Sequence, residues 1–94
     1  MNYGKAFKTL RFNWGITQTQ VAKKVGITQT YLSQIEGGTK IPSQDVIDKI
    51  CKNYGIPFFF VAWLAFEDTD VKKSKLASFK AIKPAIDNLI NEFI

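Results

Sequence analysis

Residues 16–31 read ITQTQVAKKVGITQTY, in which the tetrapeptide ITQT occurs twice, at Ile16–Thr19 and again at Ile27–Thr30. Both copies have the form of a helix start. The isoleucine stands at N′, the threonine at the N-cap and the glutamine at N1, so Thr17 and Thr28 can each accept hydrogen bonds from orphan first-turn N–H groups. The residue at N4 is then Val21 in the first copy and Leu32 in the second. Ile16–Val21 and Ile27–Leu32 are therefore two hydrophobic staples. Gln20 at N3 completes a capping box with Thr17, whereas Tyr31 in the second copy gives none. Eleven residues hold one helix of about eight, a tight turn and the start of the next helix.

The turn is Val25-Gly26-Ile27. Gly26 follows the last helical residue, where a left-handed conformation is needed and glycine adopts it without steric cost. Ala22 is small where the two helices would cross. Val21, Val25, Ile27, Leu32 and Ile35 fall on the inner faces. Two helices joined by a short glycine turn with this apolar register predict a helix-turn-helix, rather than a generic helical hairpin inside a bundle.

Outward from that unit, Tyr3, Phe7, Leu10 and Trp14 form a helical stripe ending at Gly15. Gly37-Gly38 ends the third helix and TKIPS, residues 39–43, is a turn. Ser43 caps a helix with Val46, Ile47, Ile50, Cys51 and Tyr54 inward, stopped by Gly55. Pro57 opens the next helix at N1, where its missing N–H costs nothing. The stretch PFFFVAWLAF, residues 57–66, is apolar on every side from Phe58 to Phe66. It is too short to span a bilayer, which takes about 20 residues. A helix apolar all round predicts burial all round. The polar break EDTDVKK, residues 67–73, precedes a tail with Phe79, Ile82, Ile86, Leu89 and Phe93 at heptad-like spacings. Pro84 predicts a kink there, or two helices meeting. No segment reads as a strand, and the fold class is all-α.

Ninety-four residues suffice for one small core and not for an enzyme with a separate cofactor lobe. At 46% apolar and 14% aromatic residues the chain should fold unaided. It has no histidine, which removes the commonest general base and zinc ligand. There is no phosphate loop and no pair of carboxylates beside a plausible nucleophile. Cys51, the single cysteine, lies at a helical core position and reads as a small buried apolar residue. The inventory implies no enzyme, no metal and no cofactor, and a lone thiol without a signal peptide fits a reducing cytoplasm. Residues 1–52 carry eight basic groups against three acidic ones, whereas residues 53–94 carry five of each. The whole net charge of +5 therefore sits on the half that contains the repeat. That is the electrostatic footprint of a nucleic-acid binder, although a lysine-rich solvated surface would read the same.

Taken together, LRFNWGITQTQVAKKVGITQTYLSQIEGGTKIPS, residues 10–43, resembles the phage repressor and Cro-like helix-turn-helix proteins, the XRE-type transcriptional regulators. The resemblance extends over roughly Phe7 to Leu64. It implies a five-helix lambda-repressor-like DNA-binding domain over residues 1–66; the C-terminal helical extension over 67–94 lies beyond it and is, on its own apolar seam, a candidate dimerisation element. It implies double-stranded DNA as partner, read by a recognition helix at about 28–36 in the major groove, with the protein a homodimer on a two-fold symmetric operator. It also implies that Arg11 pairs with Glu36 to tie the first helix to the recognition helix. Carried onto matching positions, Thr17, Gln18 and Thr28 face phosphates. Gln29, Thr30, Ser33 and Gln34 lie on the outward face of the recognition helix, glutamine suiting an adenine edge and threonine a thymine methyl. Lys40 adds a backbone contact from the following loop. That loop, Gly38 to Pro42, is short and holds one lysine, which predicts modest backbone affinity.

A second reading keeps the scaffold for protein–protein contact. An antitoxin-like or accessory factor would clamp a partner protein through residues 58–66 and the C-terminal segment. It would carry apolar or aromatic anchors on the recognition helix, where only Tyr31 leans that way. The sequence implies no membrane partner.

Overall fold

The computed structural model describes residues 1–94 and contains six α-helices and no strand. They are α1 (Tyr3–Trp14), α2 (Gln18–Val25), α3 (Gln29–Glu36), α4 (Gln44–Tyr54), α5 (Phe58–Ala65) and α6 (Leu76–Phe93). Two 3-10 turns, Asp68–Asp70 and Lys73–Lys75, join α5 to α6.

Each boundary of α2 and α3 follows from a local side chain. Thr17 Oγ1 accepts from the Gln20 N–H at 3.1 Å while Gln20 Oε1 accepts from the Thr17 N–H at 2.8 Å, completing the reciprocal capping box. Thr28 Oγ1 accepts from the Tyr31 N–H at 3.0 Å. Gly26 ends α2 at φ 84°, in the left-handed region. Ser43 caps α4 through the Val46 N–H. Asn2, which the periodicity did not single out, caps α1 through the Lys5 N–H. Pro57 stands at the N-cap of α5 and not at N1.

One core cluster joins the first five helices: Ala6, Phe7 and Leu10 of α1 meet Val21, Ala22 and Val25 of α2, Leu32 and Ile35 of α3, Val46, Ile47 and Ile50 of α4, and Val61 and Ala65 of α5. Ile16 and Ile27, the N′ residues of the two staples, pack against it from the edge. At the other end of α1, Trp14 stacks on Tyr54 with ring centroids 4.5 Å apart, closing α1 onto α4. Near its start, α1 comes close to the backbone of α3. A Cβ on Gly4 would collide with the Ile35 carbonyl oxygen, so only glycine fits there.

Two expectations are corrected beyond residue 57. The α5 helix is not buried all round: Val61 and Ala65 are buried, but Phe58 and Phe59 face solvent. A small domain has too few neighbours to surround every helix. The α6 helix runs unbroken through Pro84. Pro84 and Lys80, whose carbonyl loses its helical donor, both lie on the exposed side, where water can replace the lost bond. The seam of the tail is divided between core and solvent. Phe79 and Ile90 are buried, whereas Ile82, Leu89 and Phe93 are 54%, 57% and 76% exposed. The Trp63 indole N–H donates to Asp87 Oδ1 at 2.8 Å, tying α6 to α5, and within α6 the Lys83 ammonium donates to Asp87 Oδ2 at 2.6 Å. Burial pushes the Asp87 carboxyl up, but these two hydrogen bonds hold it below the usual carboxylate range.

Two substitutions test the packing of α1–α3. Ala22→Leu overfills a fully buried position and should cost about 1–3 kcal/mol. Gly4→Ala should cost at least as much, because α1 must move away from the Ile35 backbone, although alanine is otherwise the better helix former. Chemical denaturation of both variants measures the difference, and a Gly4→Ala protein as stable as the parent would contradict the close α1–α3 approach.

Candidate nucleic-acid interface

The α2–α3 unit presents a polar surface fixed from beneath by a chain of hydrogen bonds. Arg11 on α1 reaches Glu36 at the end of α3: Nη2 donates to Oε1 at 2.8 Å and Nε to Oε2 at 3.0 Å. Its Nη1 donates to the Ile16 carbonyl at 3.1 Å, holding the α1–α2 turn. The Arg11 side chain is 12% exposed and that of Glu36 only 3%. The hydrogen bond to Glu36 raises the Arg11 guanidinium above its ordinary value.

From Glu36 the chain continues outward. Gln18 Nε2 donates to Glu36 Oε1 at 3.2 Å, and Gln18 Oε1 accepts from Gln29 Nε2 at 2.8 Å. The glutamines of the two ITQT copies, at N1 of α2 and N1 of α3, therefore bond to each other. This coupling had no signal in the sequence beyond the repeat itself. An amide has two N–H donors and a carbonyl with two lone pairs. Gln29 thus keeps its Oε1 and one N–H free, and Gln18 keeps one N–H.

Thr30 and Ser33 are exposed on the outer face of α3 and Gln34 is half-buried beside them. Thr17 and Thr28 are exposed at the two N-caps, each hydroxyl oxygen accepting a backbone N–H and its proton remaining free. Lys40 is exposed in the loop after α3 and makes no ion pair. All eight surface residues chosen from the sequence thus lie on α2, α3 or the segments flanking them. No acidic side chain stands in the first turn of α2 or α3, so the positive ends of both helix dipoles are uncompensated. An open depression of about 530 Å³ lies in front of α2, lined by Arg11, Ile16, Thr17, Gln18 and Gln29 together with Phe12. Phe12 is 62% exposed, and the Arg11 guanidinium lies 4.8 Å from its ring centroid. The helical stripe of α1 gave no reason to pick Phe12, since it falls outside the apolar register.

Lys23 and Lys24 are exposed in the last turn of α2, and the Lys24 ammonium rests 4.4 Å from the Tyr54 ring centroid. Cys51 is half-buried, and burial with the nearby Asp48 carboxylate raises its thiol above the ordinary value. No group of three or more cysteine, aspartate or glutamate side chains comes together in a way that could hold a metal ion, and no helix is long and apolar enough to cross a membrane.

Comparison with known proteins agrees with this geometry. A helix-turn-helix family model matches residues 15–61, half of the chain, from the α1–α2 turn into α5. An uncharacterized HTH-type transcriptional regulator, YgzD of Bacillus subtilis (strain 168), is 34% identical over 61 residues, covering 65% of this chain and 92% of that protein. The antitoxin PezA of Streptococcus pneumoniae serotype 4 (strain ATCC BAA-334 / TIGR4) is 38% identical over 55 residues, covering 58% of this chain. The chain spans only about a third of the length of that antitoxin, with 35% of it matched. No solved structure matches the chain. A capped and glycine-turned α2–α3 unit, locked to α1 through Arg11 and Glu36 and matched over half the chain, places this protein in the helix-turn-helix family of XRE type.

Proposed function

We propose that the protein is a sequence-specific DNA-binding transcriptional regulator that acts in the cytoplasm as a homodimer on a two-fold symmetric operator. Residues 1–66 form the DNA-binding domain and residues 67–94 a helical extension that contributes to pairing. The observation that carries this reading is the outer face of α3. Gln29, Thr30, Ser33 and Gln34 offer polar groups matched to base edges, and Gln29 is held in place by Gln18 with its carbonyl and one N–H still free. In the major groove those two groups suit N6 and N7 of an adenine. Gln18, Thr17 and Thr28 meet phosphates at the N-termini of α2 and α3, and Lys40 adds a charge contact. Selection from a random duplex pool at physiological salt tests the proposal: enriched half-sites support it, and an unenriched pool opposes it.

The mutual bond of the glutamines alters what single substitutions should do. Gln29→Ala should cost about 1–3 kcal/mol on the preferred duplex and little on a scrambled one. Gln18→Ala should weaken both duplexes through the lost phosphate contact, and should also loosen Gln29. The double variant should then fall short of additivity by about 0.5 kcal/mol or more on the preferred duplex alone. Lys40→Ala should lower the slope of log affinity against log salt by about one unit, while neither glutamine change moves it much. Competition titrations at several salt concentrations measure all of these. Equal losses for Gln29→Ala on both duplexes would mean that α3 does not read bases.

Pairing is proposed through the exposed side of α6. Ile82, Leu89 and Phe93 recur every seven or four residues, so they form one stripe along the helix, and Phe58 and Phe59 extend apolar surface onto α5. Ile82→Lys with Leu89→Lys leaves the buried face of α6 untouched and should shift sedimentation from dimer to monomer. A variant that still pairs as tightly as the parent would move the interface elsewhere. A second reading gives the same stripe to a different protein. It draws on the antitoxin named among the relatives, and a parent chain that sediments as a monomer would favour it.

A further inference from the structure

A separate depression opens between α5, the two 3-10 turns and the first turns of α6, with a volume of about 630 Å³. That lies within the roughly 300–1,000 Å³ range of small-molecule sites. Its floor is aromatic. Trp63 and Phe66 both lean on Phe79, with ring centroids 5.6 and 5.4 Å away, and Phe59 and Ile82 form the outer walls. The indole N–H of Trp63 is already committed to Asp87, so the floor makes no polar demand on an occupant.

Polar groups gather on the rim, where their charge is unbalanced. Lys72 and Lys75 line the opening, and neither ammonium makes an ion pair. The one carboxylate there, Asp70, is engaged by the Met1 ammonium at 2.7 Å and by the Glu67 N–H at 2.9 Å. An apolar cradle with two free cations on its edge is complementary to an apolar body carrying a negative group. We infer that this groove binds a small amphipathic anion, with its apolar part on Trp63, Phe66 and Phe79 and its acidic group at Lys72 and Lys75. The site shares no residue with the α2–α3 face, so it stands or falls separately from DNA binding.

Octanoate is a suitable probe, with octanol and octylammonium as its neutral and cationic counterparts. The full chain, labelled with nitrogen-15, is titrated with each while the Trp63 indole resonance and the amides of residues 59–82 are followed. Octanoate should give saturable shifts confined to that region and bind more tightly than either counterpart. Lys72→Gln with Lys75→Gln changes only exposed side chains and should weaken octanoate about fivefold, as expected for rim charges, while leaving octanol unchanged. Ala62→Phe, which fills the groove, should abolish binding with the amide spectrum of α1–α4 retained. Absence of saturable shifts would overturn the inference, as would octanol binding as well as octanoate or persistence of binding in the Ala62→Phe protein. Octanoate that binds only by dissociating a dimer, read as a fall in sedimentation coefficient during the titration, would overturn it as well, because a second copy would then be the occupant of the groove.

Discussion

The Arg11–Glu36 ion pair is the contact on which the geometry of the candidate interface depends. It joins α1, the helix that runs along α5, to the far end of α3, and the same guanidinium holds the Ile16 carbonyl where α2 begins. A part-buried pair of this kind adds little net stability over an apolar replacement, since both ions lose much of their hydration. Removing one partner is another matter, because the remaining group keeps its desolvation and loses its opposite charge. The pair therefore acts as a register device. It penalises any arrangement of α1, α2 and α3 in which its two halves do not meet.

Glu36 also passes that register outward. Its Oε1 accepts from Gln18, and Gln18 in turn accepts from Gln29, so an anchored carboxylate orients an exposed amide two bonds away. Recognition by an amide requires its plane to be fixed, because a freely rotating glutamine loses rotamer entropy on binding. Here part of that cost is met within the folded domain. The ITQT repeat thus has two consequences: its threonines and isoleucines start and staple helices, and its glutamines couple them.

The opposite side of the molecule follows a different rule. The first five helices close their core around Leu10, Leu32, Ile35 and Val61, and α6 is added over α5 through Phe79, Ile90 and the Asp87 anchors. This layer leaves apolar surface uncovered on α5 and α6, in the stripe of Ile82, Leu89 and Phe93 and in the groove above Trp63. Exposed apolar surface of this extent is uncommon on a small domain, and it is where the proposed pairing and the proposed ligand both fall.

By itself the sequence determined what depends on a few neighbouring residues. Thr17, Thr28 and Ser43 start helices and Gly15, Gly26 and Gly55 end them, because capping and left-handed φ are settled within one turn of chain. The helix-turn-helix, its outer face and the charge of the basic half were legible for that reason. What needed the tertiary structure was every choice among neighbours distant in the chain. That Gly4 must be glycine depends on the Ile35 backbone, and that Gln18 holds Gln29 depends on the crossing of α2 and α3. In α6 periodicity marked the apolar stripe but not what covers it. The folded chain buries Phe79 and Ile90, brings Asp87 to Trp63 and leaves Ile82, Leu89 and Phe93 exposed. An amphipathic pattern records which residues share a side of a helix, but only the packed partners decide which side is covered, because burial is a property of both surfaces.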